Sequence, residues 1–273
     1  MVRENANAKI NLFLTVLGKR EDGFHNIKSV MHSVTLSDSV IVSAMESEKT
    51  HITVHTESSE LLSEKDNLCY RSAEKYLAYF DKSADVTIHL DKKIPIGAGL
   101  AGGSSDAAAT LRALNQIFGF ASKDKLLEIA AEIGSDVPFC LIGGTALCEG
   151  RGEILTSIPS PENMHFVIAI GKERVSTPAA YRALDKLYGD SFPQNQDVIL
   201  YNIFEKVVSL PEVDKIKELL IKYGAESVLM SGSGPSVFGI FKDKFLAQNA
   251  RDELMKAGFE AYYAESALDG ENI

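Results

Sequence analysis

The sequence predicts an α+β protein built from two domains. Three observations carry that reading. Strand-like runs of alternating or continuous apolar residues mix with amphipathic helical stretches along the whole chain. The length, 273 residues, suits one or two domains. One Pro/Ser-rich cluster, SIPSPEN at 157–163, breaks the pattern. It sets the expected domains at 1–158 and 159–273.

The elements follow in order. Ile10, Leu12, Leu14 and Val16 alternate with Lys9, Asn11, Phe13 and Thr15, which predicts a strand with Lys9 and Asn11 on one face. GKREDG (18–23) is a turn-rich break, and 24–36 pairs as another strand. Val40 with Val42, and Ile52 with Val54, predict two further strands split by the polar 45–50 segment. Asp66 is the expected cap of a helix over 67–80, with Leu68, Leu77 and Phe80 facing inward. A strand over 84–94 then runs into a glycine-rich stretch.

A helix over 104–118 places Ala107, Leu111, Leu114 and Phe118 on one face, and Gly119 ends it. Ser122 caps the next helix, which carries Leu126, Ile129, Ala130 and Ile133 and stops at Gly134. GSDVPF at 134–139 ends one helix and starts another, with Asp136 as cap and Pro138 in the first turn. A turn and a strand occupy 143–155.

The second half opens with a strand at 165–171. Thr177 with Pro178 starts a helix to 188. Helices are expected at about 196–208 and 212–223, the latter closed by Gly224. Strands at 226–230 and 236–241 flank the turn SGSGP, and an amphipathic helix over 244–258 precedes a last strand at 259–266. This order suggests an α+β sandwich of ferredoxin-like type.

Composition narrows the function. The chain is 45% apolar and 24% charged, ordinary for a protein with a real core. A net charge of −10 and the lack of a basic stripe argue against nucleic acid as a partner. Cys69, Cys140 and Cys148 show no paired spacing and read as reduced thiols of a cytoplasmic protein. No stretch approaches the ~20 apolar residues of a membrane span. The expected partner is a small molecule, with no nucleic acid and no membrane.

Chemistry concentrates in a glycine-rich loop and four further patches. PIGAGLAGGSS (95–105) packs four glycines ahead of a helix, and such loops gather unpaired N–H groups that suit phosphate; the bland reading is a tight turn. No Gly-Lys-Ser/Thr follows, so it is not a P-loop. Gly97, Gly99 and Gly102 satisfy G-x-G-x-x-G, but no acidic strand end follows as a dinucleotide fold requires. Lys9 reads either as a solvated strand residue or as a cation beside Asn11. Asp136 alone reads as a helix cap. SGSGPS (231–236) is a hairpin turn or a second glycine loop supporting the first. His25 beside Phe24, in DGFHNI, is a buried pair or a platform for a base.

Taken together, AKINL, DGFH, PIGAGLAGGSSDAAA, GSDVPF, STPAAY and SGSGPSVF resemble the motifs of the GHMP kinases, in the same order and over nearly the whole chain. That resemblance implies an N-terminal ribosomal-S5-like α/β domain and a C-terminal ferredoxin-like sandwich. It implies transfer of a phosphoryl group from ATP, with Mg²⁺ expected and its ligands unassigned, to a hydroxyl of a cytidine diphosphate-linked polyol. The loop expected to hold ATP is Ile94, Pro95, Ile96, Gly97, Ala98, Gly99, Leu100, Ala101, Gly102, Gly103, Ser104 and Ser105. Asp136 matches the base that takes the proton of the attacking hydroxyl, and Lys9 its partner. His25 matches the residue that bonds the cytosine edge, and Phe24 and Tyr181 the aromatic pair around the base. Asn11 and Thr177 match residues that orient the substrate. Phe24 stands where tyrosine is commoner. Ala101 replaces a glycine, which should be tolerated only where φ is negative.

Overall fold

Two long strands form the spine of the molecule. In the computed structural model, which describes residues 1–57, 64–161, 163–193 and 200–267, strand β1 (Val2–Lys19) pairs antiparallel with strand β2 (His25–Glu46). The expected break before Val40 is absent. Asp38 is buried within β2, and the strand is continuous, with a shift of register over 34–36 against β1. Beyond β2 lie β3 (His51–Thr56) and β4 (Ala84–Asp91), in the order β3-β4-β2-β1. The first half of β2 also carries β5 (Thr145–Glu149), which pairs in turn with β6 (Ile154–Ile158).

Helices α1 (Leu68–Tyr79), α2 (Gly102–Phe118), α3 (Lys123–Ile133) and α4 (Val137–Ile142) pack with this sheet. Helix α1 is capped by Asn67, whose side chain accepts from the Cys69 amide at 2.8 Å, and not by Asp66. Helix α2 buries Ala107, Ala108, Ala109, Leu111, Ala113 and Leu114. Its run of alanines lets neighbours approach on several sides. Gly119 ends it in the left-handed region, and Ser122 caps α3, both as expected.

The second sheet is β11-β7-β10-β9, all antiparallel, from β7 (His165–Ile170), β9 (Ser227–Met230), β10 (Val237–Phe241) and β11 (Glu260–Glu265). Helices α6 (Pro211–Lys222) and α7 (Lys244–Lys256) cover one face. β7 is buried on both sides, which explains its unbroken apolar run. Val167 and Ala169 belong to the main core. Phe166, Ile168 and Ile170 pack instead with Ile10, Ile94, Ala98 and Leu100. The second sheet thus rests directly on β1 and the glycine-rich stretch.

Helix α5 (Thr177–Tyr188) leads to a short strand, β8 (Tyr201–Asn202), that joins the first sheet parallel to β1. A helix over 196–208 is therefore not formed in its described part, which is β8 and a 3₁₀ turn at Ile203–Lys206; residues 194–199 lie outside the described residues. The side chain of Asn202 explains the difference. It donates to the carbonyls of Met230 at 2.7 Å and Gly232 at 2.8 Å, and so ties this segment to the turn between β9 and β10.

Candidate active site

Lys9 leaves β1 between two shifts of register, at Asn7/Lys9 and Asn11/Phe13. Irregularities of this kind re-aim side chains. The Lys9 ammonium is 5% exposed and donates to Asn11 Oδ1 at 2.6 Å. Asn11 is itself fixed: Oδ1 also accepts from the Gly232 amide at 3.0 Å, and Nδ2 donates to Ser29 Oγ at 2.8 Å. Asn11 is thus largely spent on holding Lys9 and the second glycine loop. An ammonium has three donors, so Lys9 keeps capacity for an oxygen in the cleft.

Asp136 Oδ2 lies 4.0 Å from Lys9 Nζ. Its backbone is helical (φ −87°, ψ −12°), and its carboxylate makes no capping bond. A true cap would have extended backbone and would accept an amide of the next turn. The carboxylate, about a third exposed, is left to the cleft. An oxygen ~2.8 Å from both atoms fits beside their 4.0 Å gap. The neighbouring Cys140 is no competing nucleophile, since burial pushes its thiol up to about 12.

The glycine-rich stretch forms the opposite wall. The amides of Gly102, Gly103 and Ser104 head α2, where a helix leaves N–H groups unpaired, and all three residues line the cavity. Ser105 differs from expectation. It is buried, and its one hydroxyl hydrogen is shared between the carbonyls of Asn7 at 2.7 Å and Ala101 at 3.0 Å, locking α2 to β1. Ala101 also differs: it precedes the helix in the left-handed region at φ +57°, a strained conformation for a residue with a Cβ.

SGSGPS packs under this loop. Ser231 Oγ donates to the Gly99 carbonyl at 3.1 Å, and the Ser236 amide to that of Ala98 at 3.3 Å. Thr177 Oγ1 and Ser233 Oγ are 2.7 Å apart, which adds the start of α5 to the same knot.

Sequence reasoning missed a buried brace at the loop's entrance. Asp38 Oδ1 accepts the amides of Lys93 at 2.5 Å and Ile94 at 2.7 Å. Lys92 bonds both Asp38 and Asp106, reaching the latter at 2.7 Å, and so ties β2 to α2 across the loop. Burial raises the Asp106 carboxyl, against the pull of Lys92. The run Asp-Lys-Lys before the loop was the available signal, but its partners are far off in sequence.

At the far end, His25 is buried and stacks on Tyr181, with centroids 4.6 Å apart and planes 25° apart. Tyr181 also meets Phe204 edge-on. Phe24 is half exposed with the Arg151 guanidinium over its ring. One face of Tyr181 is thus taken by His25. All these groups line one cavity of about 810 Å³, together with the glycine loop, Lys9 and Asp136. Among the described residues no three metal-ligating side chains come together, and no helix is long and apolar enough to cross a membrane.

Family models described as GHMP kinases N terminal domain and GHMP kinases C terminal match residues 67–144 and 200–261. The 4-diphosphocytidyl-2-C-methyl-D-erythritol kinase of Caldicellulosiruptor saccharolyticus is 42% identical over 266 residues, covering 91% of this chain and 91% of its own. That of Syntrophomonas wolfei is 40% identical, covering 96% and 95%. A crystal structure of 4-(cytidine 5'-diphospho)-2C-methyl-D-erythritol kinase superposes with a TM-score of 0.83 at 31% identity, over 96% of this chain and 98% of its own. A homoserine kinase from Cytophaga hutchinsonii shares the fold, with a TM-score of 0.69 at 21% identity over 97% and 96%.

Proposed function

The chain belongs to the GHMP kinases, and among them to the 4-diphosphocytidyl-2-C-methyl-D-erythritol kinases; it is an ATP-dependent kinase, and we propose that it phosphorylates the 2-hydroxyl of that substrate in the cleft just described, giving the 2-phosphate and ADP. The observation that carries this reading is the Lys9–Asp136 pair facing a glycine loop across one cavity. Phosphoryl transfer asks a protein mainly for positioning and charge stabilisation. The 2-hydroxyl is tertiary, hindered and weakly acidic. Asp136 accepts its proton as the oxygen attacks, and Lys9 offsets charge on that oxygen and on the transferring group.

The ATP phosphates rest on the free amides of residues 102–104. Mg²⁺ would be carried in by the nucleotide, a mode that needs few protein oxygens, and Asp136 and Ser104, which line the cleft, would be the residues to hold it. When bound, it would supply further charge neutralisation. His25, Phe24 and Tyr181 receive the cytosine, and because His25 already covers one face of Tyr181, the base does not stack on that face. The same reading has residues 1–158 and 159–273 as the two domains, with the enzyme working in the cytoplasm on a small molecule and not on nucleic acid.

A coupled ADP-release assay tests the reading. ADP should appear with the cytidine diphosphate-linked polyol, and far more slowly with the same polyol lacking cytidine, homoserine or mevalonate. Equal rates with the bare polyol would remove the base from recognition. In the same assay His25→Ala should raise KM for the cytidine substrate by about tenfold or more, the loss of one specific base contact being worth ~1–3 kcal/mol, with KM for ATP little changed. Equal loss for both substrates would assign His25 to folding.

A further inference from the structure

We propose that Asp185 is the positioning residue that makes this site choose cytosine over uracil, an inference that rests on His25 facing the pyrimidine. His25 is the first residue of β2, and its backbone is fixed by the 20–24 turn, closed by Arg20 N–H to Phe24 carbonyl at 2.8 Å. Its ring crosses to α5. There Tyr181 and Asp185, four residues apart, are neighbours on one helix face. Tyr181 holds the plane of the imidazole, and Asp185 Oδ1 holds its Nε2 at 2.7 Å. The other carboxylate oxygen is 3.5 Å from Lys19 Nζ. Burial alone would raise the Asp185 carboxyl, but His25 and Lys19 hold it below the ordinary carboxylate range.

An ionised carboxylate only accepts hydrogen bonds. Nε2 of His25 therefore carries the hydrogen, and in the neutral ring Nδ1 is left as an acceptor. Nδ1 makes no hydrogen bond among the described residues, and His25 lines the cavity. Cytosine offers an amino donor at position 4, where uracil offers a carbonyl oxygen. An acceptor at Nδ1 pairs with the first and opposes the second. Without Asp185 the ring could turn over its tautomer and present a donor, which suits uracil. The carboxylate touches no base; it sets what the imidazole reads.

The test compares kcat/KM for the cytidine diphosphate-linked polyol and its uridine analogue. Wild type should favour cytidine strongly. In Asp185→Asn the amide can donate as well as accept, so the preference should shrink by roughly 10–100-fold, the range typical for partners that orient metal-bound histidines. The change should fall on KM for the polyol, and Asp185→Glu should restore part of it. Nitrogen-15 NMR of the wild-type enzyme should show the His25 hydrogen on Nε2. A hydrogen on Nδ1, or an unchanged base preference in Asp185→Asn, overturns the proposal. His25→Ala separates the two layers. If it abolishes the preference and Asp185→Asn does not, only the role of Asp185 falls. If it too leaves the preference intact, base reading by His25 falls as well.

Discussion

Replacing Asp136 by asparagine should lower kcat by ~10²–10⁴-fold, the usual worth of a positioned general base, and leave fold and ATP binding in place. The substitution is nearly isosteric. It removes the proposed proton acceptor but not the shape of the 134–139 junction. The structure makes this a clean experiment, because the carboxylate makes no capping bond whose loss would disturb α4. The midpoint of thermal unfolding should therefore stay close to wild type, and KM for ATP should barely move. A variant with near-full turnover would leave Asp136 without a chemical role. A variant that unfolds would return it to the role of a structural junction residue.

Gly99→Val should damage both folding and ATP use. Gly99 sits at φ +80°, and a Cβ built on it would stand 2.5 Å from the Ser231 carbonyl oxygen and 3.1 Å from that of Gly234. Those neighbours are backbone atoms of the supporting loop and cannot swing aside. Left-handed backbone costs a residue with a Cβ roughly 1–2 kcal/mol. Overpacking adds typically ~1–3 kcal/mol. The two loops must part, and the α2 amides proposed to hold phosphate move with them. Gly103 provides the contrast. A Cβ there meets only Leu68 Cδ1, at 3.5 Å, and φ is not in the left-handed region. Gly103→Val should keep stability near wild type and still raise KM for ATP, because it adds a branched side chain to the wall of the cavity proposed to hold the phosphates. Thermal melts and ATP titrations separate the two outcomes. Equal stability of the two variants would mean that the loops do not depend on close backbone contact at Gly99.

How much of this could be read from the chain depended on distance in sequence. The strand carrying Lys9 and Asn11 was legible because alternation is local, and the structure confirms that the two side chains meet. Helix α3 and the left-handed stop at Gly119 were legible for the same reason. Asp136 could be located but its cap reading not tested, since only the structure shows that its carboxylate makes no cap bond. The continuity of β2 was hidden because buried Asp38 looks like a turn residue; its charge is answered by Lys92 and by two amides of the loop. Ser105 was read as a phosphate hydroxyl because it ends the glycine run, but one turn into the helix it points at β1. Asp185 escaped notice because its value lies in His25, which β2 supplies from far upstream.

The most direct test of the account is a double-mutant cycle on Lys9 and Asp136, read as kcat with the cytidine diphosphate-linked polyol. If the ammonium and the carboxylate bracket one hydroxyl oxygen, they act as a unit, and groups that act as a unit are not additive. Lys9→Ala and Asp136→Asn should each lose orders of magnitude, and the double variant little more than the worse of the two. Losses that multiply in the double variant would contradict the account, and would leave two residues that matter separately.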